Sequence, residues 1–307
     1  MAIAYCILAH KNPEQMRRLL RAVWHPENLY VLHYDKRSPR VDHEVVARFP
    51  EEFPGVRILP CKAVFWGRFS QVAVQIEALK LAVQSAAVWT HFINLTGQDF
   101  PLKSQTEILR ILSEAAGISF VNHFDPFDGV HWQYAGDRLS KIHIDSPFLE
   151  RLLTVPAIGR RVRWALGWSN RIPTIPLWRR KSPTEFRYFG GSNHVILSRD
   201  AATYIVHDPN AGKTIRRLRW SGHPDESVFQ SSLLNSRFSE VTVNDDRRAV
   251  FWEKCTDASP QTLTSADLDR LGNARSQGKL FARKFDTLKD SNIIDLVERE
   301  FLGFAGR

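Results

Sequence analysis

"IAYCILAHKNPEQMRRLLRAV", Ile3 to Val23, runs from a wholly apolar segment into a helix start with only a short polar break between them. Ile3 to Ala9 carries no charge, as expected of a strand buried on both faces of a parallel sheet. Asn12 then stands as N-cap, with Pro13 at the first helical position and Gln15 three residues after the cap. Met16, Leu19, Leu20 and Val23 recur at helical spacing and form the inward stripe. No basic region precedes the apolar run, so it reads as the first core strand and not as a signal peptide. Strand followed directly by helix is the repeating unit of an α/β fold.

The unit recurs downstream. "LYVLHYD" predicts a second strand ending at Asp35, "VRILP" (Val56 to Pro60) a third, "HFINL" (His91 to Leu95) a fourth and "ISFVNHF" a fifth. Between them, Ser70 is read as the cap of a helix carrying Val72, Ile76, Leu79 and Val83, and Ser104 with Glu107 forms a capping box for "QTEILRILSEA". Strands separated by helices predict a mostly parallel sheet with ligands at the carboxyl ends of its strands. His10, Asp35 and Asp99 all fall at or just past such ends. Regular structure resumes at "YFGGSNHVILSRDAATYIV", a strand and then a helix capped near Ser198. "HPDESVFQSSLL" is a further helix start. The last sixty residues read as loop-rich until the amphipathic "DSNIIDLVEREFL".

Composition bounds the rest. The 307 residues are 43% hydrophobic and 24% charged, the profile of a soluble globular domain, and no apolar run reaches the roughly 18 residues of a membrane span. Three separated cysteines, Cys6, Cys61 and Cys255, fit neither a disulfide framework nor a zinc site; a reducing compartment suits them. The net charge of +9 calls for an anionic partner: nucleic acid, an acidic membrane surface or a phosphorylated substrate. Between Arg151 and Lys181 eight Lys or Arg and no acid are interleaved with Trp164, Trp168 and Trp178.

Two segments carry chemistry. In "HPDESVFQ", Pro224 suits a first helical turn, placing Asp225 and Glu226 near its positive end, where an ionised carboxylate is favoured and can accept a proton. Dipole complementation alone accounts for the same residues. In "GKLFARKFD", Arg283 and Lys284 lie among Leu280, Phe281 and Phe285, which pin the backbone into the core and distinguish the pair from a solvated basic surface. With "DDRRAVFW" it offers three or four cations able to neutralise a diphosphate. Sugar-nucleotide enzymes of the parallel-sheet type hold a divalent cation with Asp-x-Asp just past a strand. Here that place reads "HYDKR".

"AYCILAHK", "YVLHYDKRS", "INLTGQDFPLKS", "GGSNHVILSRD", "HPDESVFQ" and "LFARKFD" occur in the order found in the core-2/I-branching glycosyltransferases, the family of β-1,6-N-acetylglucosaminyltransferases and peptide O-xylosyltransferases. The resemblance spans roughly residues 2 to 290. It implies a GT-A-like α/β fold, a mostly parallel Rossmann-type sheet flanked by helices, with inversion at the anomeric carbon, a UDP-sugar donor and no metal or other cofactor. One domain over 1–307 follows, with a nucleotide-binding half (1–125), a Trp/Arg-rich insert (126–185) and an acceptor and catalytic half ending in a diphosphate-binding segment (186–307). The resemblance places Leu8, Ala9 and His10, then Asp35, Lys36 and Arg37, at the nucleotide, and Trp66 as an aromatic against it. It makes Glu226 the general base and Lys284 the lysine on the diphosphate. Arg248 fits the partner arginine best, with Arg247 a close rival.

For the remaining residues the resemblance and ordinary structure compete. Asp99 meets the ligand or caps its loop. Arg138 touches the acceptor or makes a surface ion pair. Trp66 is a contact or core. The turn at Gly190, Gly191 and Ser192 allows close approach of a ligand or merely enters a strand. The acceptor is expected to be a glycan, a glycolipid or a polypeptide, and the donor UDP-N-acetylglucosamine, with UDP-xylose next. The chain is shorter than the animal enzymes, and the expectation is a cytoplasmic protein with peripheral membrane contact through residues 151–181. No nucleic acid is expected, although a nucleic-acid-binding protein or a non-catalytic carbohydrate- or lipid-binding module are the rival classes. Steep salt dependence without UDP-sugar affinity marks the first, and absence of turnover the second.

Overall fold

The computed structural model describes residues 1–132, 135–143, 174–179 (backbone only), 185–253 and 259–304. Strand β1 (Ala2–Ala9) is an interior strand, beside the central β4 (Trp89–Thr96), of a seven-stranded sheet ordered β10-β6-β9-β4-β1-β2-β3. It pairs in parallel with β2 (Leu29–Tyr34) and β4, and β2 pairs in parallel with β3 (Val56–Ile58). β6 (Ser119–Val121) and β10 (Thr242–Val243) are likewise parallel. β9 (Val195–Ser198) runs antiparallel to both neighbours, β4 and β6. The fold is therefore the expected α/β class, a mostly parallel sheet flanked by helices, with one reversed strand that hydrophobic patterning does not orient.

β1 shows why its sequence has no polar face. Ile3, Tyr5 and Ile7 pack with Met16, Leu19, Leu20 and Val23 of the helix Pro13–Val23, while Ala4 and Cys6 pack with Ala78, Leu79 and Ala82 of the helix Phe69–Gln84. Alternate residues of one strand thus serve two separate cores. The Asn12 side chain accepts from the Gln15 amide, and Ser104 with Glu107 forms the anticipated capping box. Ser198 caps the helix Arg199–His207 by accepting from the Ala201 amide.

Four local expectations are corrected. The helix after Gly67 begins at Phe69 with Arg68 in the cap position, because the Ser70 hydroxyl accepts from the Phe65 amide and shapes the preceding turn instead. β3 stops at Ile58, before Pro60. "HPDE" forms a single 3-10 turn, Pro224–Glu226, and the α-helix starts only at Val228. The C-terminal sixty residues contain more than loop. A helix at Leu268–Ser276 and β12 (Phe281–Arg283) precede the terminal helix Asn292–Leu302.

β12 belongs to a second sheet, parallel to β11 (Arg248–Val250) and antiparallel to β5 (Phe100–Pro101). Leu280, Phe281 and Phe285 are fully buried, as the anchors around Arg283 and Lys284 were expected to be. A third pair, β7 (Lys141–His143) with β8 (Thr174–Arg179), is antiparallel. The Trp/Arg-rich stretch 151–173 and residues 180–184 lie outside the described residues, as does Cys255. Cys6 is a buried free thiol and Cys61 an exposed one. Among the described residues no helix is long and apolar enough to cross a membrane.

Candidate active site

β1, β2 and β4 all end on one edge, and their carboxyl ends carry His10, Asp35 and Asp99. Asp35 is buried and accepts from the Arg37 amide at 2.8 Å, from the Arg37 guanidinium at 2.9 and 3.1 Å and from the Val64 amide at 3.2 Å. Burial opposes its charge, but these donors outweigh burial and hold the carboxyl below its ordinary range. Arg37 itself lies over the Phe65 ring at 4.5 Å. Leu8 is half-buried, Ala9 buried, and Lys36 exposed. His10 is shifted down, by burial first and then by Lys11, against Asp35, with Lys284 and Arg37 adding to the lowering. Those charged groups therefore surround one imidazole.

The segment carrying Lys284 is clamped onto this edge. The Phe285 amide donates to the Gln98 carbonyl at 2.9 Å, and Gln15 bridges the Gly97 and Phe285 carbonyls at 2.8 and 3.1 Å. Lys11 pairs with Asp286 at 2.6 Å and Asn12 donates to Thr287 at 2.6 Å. Lys284 is half-buried and donates to Ser259 at 3.2 Å. Burial, then Arg283 and Lys11, lower its pKa.

Arg248 sits differently from expectation. It is only 4% exposed, donates to the main-chain carbonyls of Asp246 and Asn94, and lies 5.3 Å from the centre of the Phe281 ring. Arg248 opens β11 opposite Phe281 of β12, and its guanidinium is spent on holding β11 to β4. Arg247 pairs with Asp245 and packs over Phe120. Besides Lys11, a cation in the Lys284 neighbourhood is Arg283, 16% exposed, which β12 places beside Asp99 at 3.7 Å.

The acid pair lies further along the same edge. Glu226 accepts from Arg138 at 2.9 Å, so Arg138 forms an ion pair, and its partner is the candidate base itself, with both side chains about a third exposed. Arg138 also stacks over Trp132 at 4.6 Å. The helix-end argument for ionised acids fails here, because a single 3-10 turn has little dipole and burial dominates. Burial and the neighbouring Glu226 push Asp225 up to about 7, and burial raises Glu226 despite Arg138. Asp225 is 4% exposed and its Oδ1 has no hydrogen-bond partner. The turn is held in place by the His223 amide, which donates to the Gly67 carbonyl, and by the Gly191 amide, which donates to the Glu226 carbonyl at 2.9 Å. Trp66 is 68% exposed and meets the His223 ring edge-on at 4.5 Å, so it is not core.

The glycine turn approaches protein and not an open ligand site. A Cβ on Gly191 would stand 2.0 Å from the Asn122 carbonyl oxygen, and one on Gly190 would strike the Phe124 and Trp132 rings. Ser192 donates its amide to Asn122 and its hydroxyl accepts from the His194 amide. Asp99 is fully buried; one oxygen accepts from the Thr96 amide and so caps the loop. The chain's Asp-x-Asp, Asp267-Leu268-Asp269, starts a helix: Asp267 accepts from the Thr264 amide and hydroxyl. Among the described residues no three His, Cys, Asp or Glu are grouped to hold a metal. Sequence reasoning missed His223 and His194, whose signal is weak because an isolated histidine beside a turn is ordinary.

A mostly parallel α/β sheet with cations and a carboxylate pair along its strand ends defines the class: an enzyme-like fold with its polar groups collected at the carboxyl edge. Residues 3–272 match the model of the Core-2/I-Branching enzyme family, and the chain belongs to that family. It is 26% identical to xylosyltransferase 2 of Rattus norvegicus over 319 residues, covering 98% of this chain and 34% of that protein. It is also 26% identical to the human β-1,3-galactosyl-O-glycosyl-glycoprotein β-1,6-N-acetylglucosaminyltransferase 3, over 98% of this chain and 68% of that one. The chain thus spans about a third of the length of the rat relative. Among solved structures, that of S. aureus TarS 1–349 in complex with UDP aligns with 99% of this chain and 73% of its own, at 11% identity and a TM-score of 0.39.

Proposed function

We propose that this protein is an inverting glycosyltransferase that moves a sugar from a UDP-sugar to an acceptor hydroxyl without a metal ion. One observation carries the reading: Lys284, His10, Asp35, Arg37, the Val64–Gly67 loop, His223 and Glu226 are linked in that order along one sheet edge, with a cationic end and a carboxylate end. Asp35 with its arginine and amide donors receives the uridine, and Trp66 offers it an exposed ring face. Lys284 and the exposed part of Arg283 meet the diphosphate, with Arg248 adding charge from beneath.

The displacement balances as follows. The acceptor oxygen bonds to the anomeric carbon, its proton passes to Glu226, and the carbon–oxygen bond to UDP breaks with its electron pair leaving on the phosphate. Preorganised cations stabilise that charge in place of magnesium or manganese. Burial raises Glu226 and makes its carboxylate a stronger base, while Arg138 opposes that rise and favours the ionised form. UDP-N-acetylglucosamine is the favoured donor and UDP-xylose the next, in line with the two named relatives; the acceptor is a glycan, glycolipid or polypeptide, and the site of action is cytoplasmic with peripheral membrane contact.

Release of UDP from UDP-sugars in the presence of mixed acceptors tests the proposal. Glu226→Gln is expected to lower kcat about 10²- to 10⁴-fold while UDP affinity stays within about two-fold. Unchanged turnover in that variant removes Glu226 as the base.

A further inference from the structure

Behind Arg283 lies a buried cluster that the proposed reaction does not use directly. Asp99 is 0% exposed and His194 2%. Asp99 Oδ1 is 3.7 Å from Arg283 Nε and 3.9 Å from His194 Nε2. Arg283 Nη1 contacts His194 Nε2, which can accept only if the ring is neutral with its proton on Nδ1. Burial, with Arg283 and Arg248 nearby, holds that imidazole well below its ordinary pKa and so in the neutral form. Arg248 feels Asp99 as the largest charge in its favour.

The loop cap uses half of Asp99. Its Oδ2 accepts from the Thr96 amide, a task an asparagine performs equally well, whereas Oδ1 has no hydrogen-bond partner. Arg283 Nε and Arg248 Nε are also buried without partners. A buried carboxylate that is surplus to its turn and faces two guanidinium groups is costly unless those charges need it. Asp246, buried and accepting from the Arg248 amide through Oδ1, is a second acid beside Arg248, so two guanidinium groups face two carboxylates with histidine as an uncharged spacer. Of those two carboxylates, Asp99 is the one that also lies against Arg283.

We propose that Asp99 is a positioning residue: with neutral His194 it fixes the Arg283 guanidinium so that its exposed part stands beside Lys284, ready for the donor's phosphates. Arg283 has four rotatable bonds and, without that seat, would swing toward solvent. The proposal deepens the glycosyltransferase reading and rests on it.

UDP binding to the full chain, measured by calorimetry, tests it. Asp99→Asn keeps the loop cap and adds a net positive charge, so electrostatics alone would tighten UDP binding. Positioning requires the opposite, a loss of about ten-fold in affinity. In an Arg283→Gln background the same change should move affinity by no more than about two-fold, since the group being positioned is gone. Wild-type binding with unchanged or tighter binding in Asp99→Asn overturns the positioning role and leaves the donor reading intact. Wild-type protein that does not bind UDP overturns both. Should Asp99→Asn not fold, the Asp99→Asn/Arg283→Gln double variant is expected to recover folding, because no uncompensated charge is then added. A double variant that stays unfolded overturns the pairing.

Discussion

Asp225 shows how one residue's surroundings set the chemistry of its neighbour. The two adjacent acids cannot both ionise cheaply in a buried turn, and Arg138 sides with Glu226, so Asp225 is the one pushed up to about 7. A carboxyl whose folded pKa is raised gives stability that is complete below its unfolded pKa and is lost as pH rises through about 7. Asp225→Asn is therefore expected to be more stable than the wild type at pH 8, on the order of a few kcal/mol, with the gap closing toward pH 4. Thermal melts of both proteins across that range check this; a gap that does not widen with pH rules out burial as the cause. Glu226 was nameable from its motif. Its Arg138 partner was not, since 88 residues separate them and only packing joins them.

Among the elements, the Gly190–Ser192 turn supports the Pro224–Glu226 turn from behind. The Gly191 amide reaches the Glu226 carbonyl because no side chain keeps it from Asn122. Gly191→Ala places a methyl group 2.0 Å from a main-chain oxygen that cannot swing away. A loss of roughly 2–4 kcal/mol and a melting point lower by several degrees are expected. An unaltered melting point would show that the turn is not held this closely. The capping box at Ser104, the Ser198 cap and the Asn12 cap were all readable, because each uses neighbours within three residues. Ser70 misled for a related reason: a hydroxyl near a helix start has two local partners to choose from, and the Phe65 amide won. β9 could not be oriented from its own residues, since an apolar run fits a parallel or an antiparallel place equally well. The Leu268–Ser276 helix was overlooked because Gly272 and its charges blur the stripe that Leu271 and Ala274 bury.

At the scale of the whole molecule, the seven-stranded sheet takes strands from residue 2 to residue 243, and the C-terminal segment closes over its edge through Gln15, Gln98 and Asp286. A ligand held between that segment and β1 should stabilise the entire fold. UDP at about 100 times its dissociation constant is expected to add roughly 2.7 kcal/mol and to raise the melting point with concentration. EDTA should leave the rise unchanged. A rise that disappears on chelation would mean that a metal ion, and not the fixed cations, bridges the phosphates.

Sequence alone determined the α/β class, the strand ends that gather the polar residues, the family and the carboxylate expected to take the proton. Each of these is written in short-range pattern: apolar runs, caps three residues apart and motifs in a fixed order. Tertiary structure alone decided how deeply each cation is buried and which groups it meets. Arg248 and Arg283 are equally basic in the sequence, but the pairing of β11 and β12 buries the first against main-chain carbonyls and leaves the second partly exposed against Asp99. Exposure depends on what packs over a side chain, and the groups that do so here come from positions 94, 99, 194 and 246, which no local pattern connects.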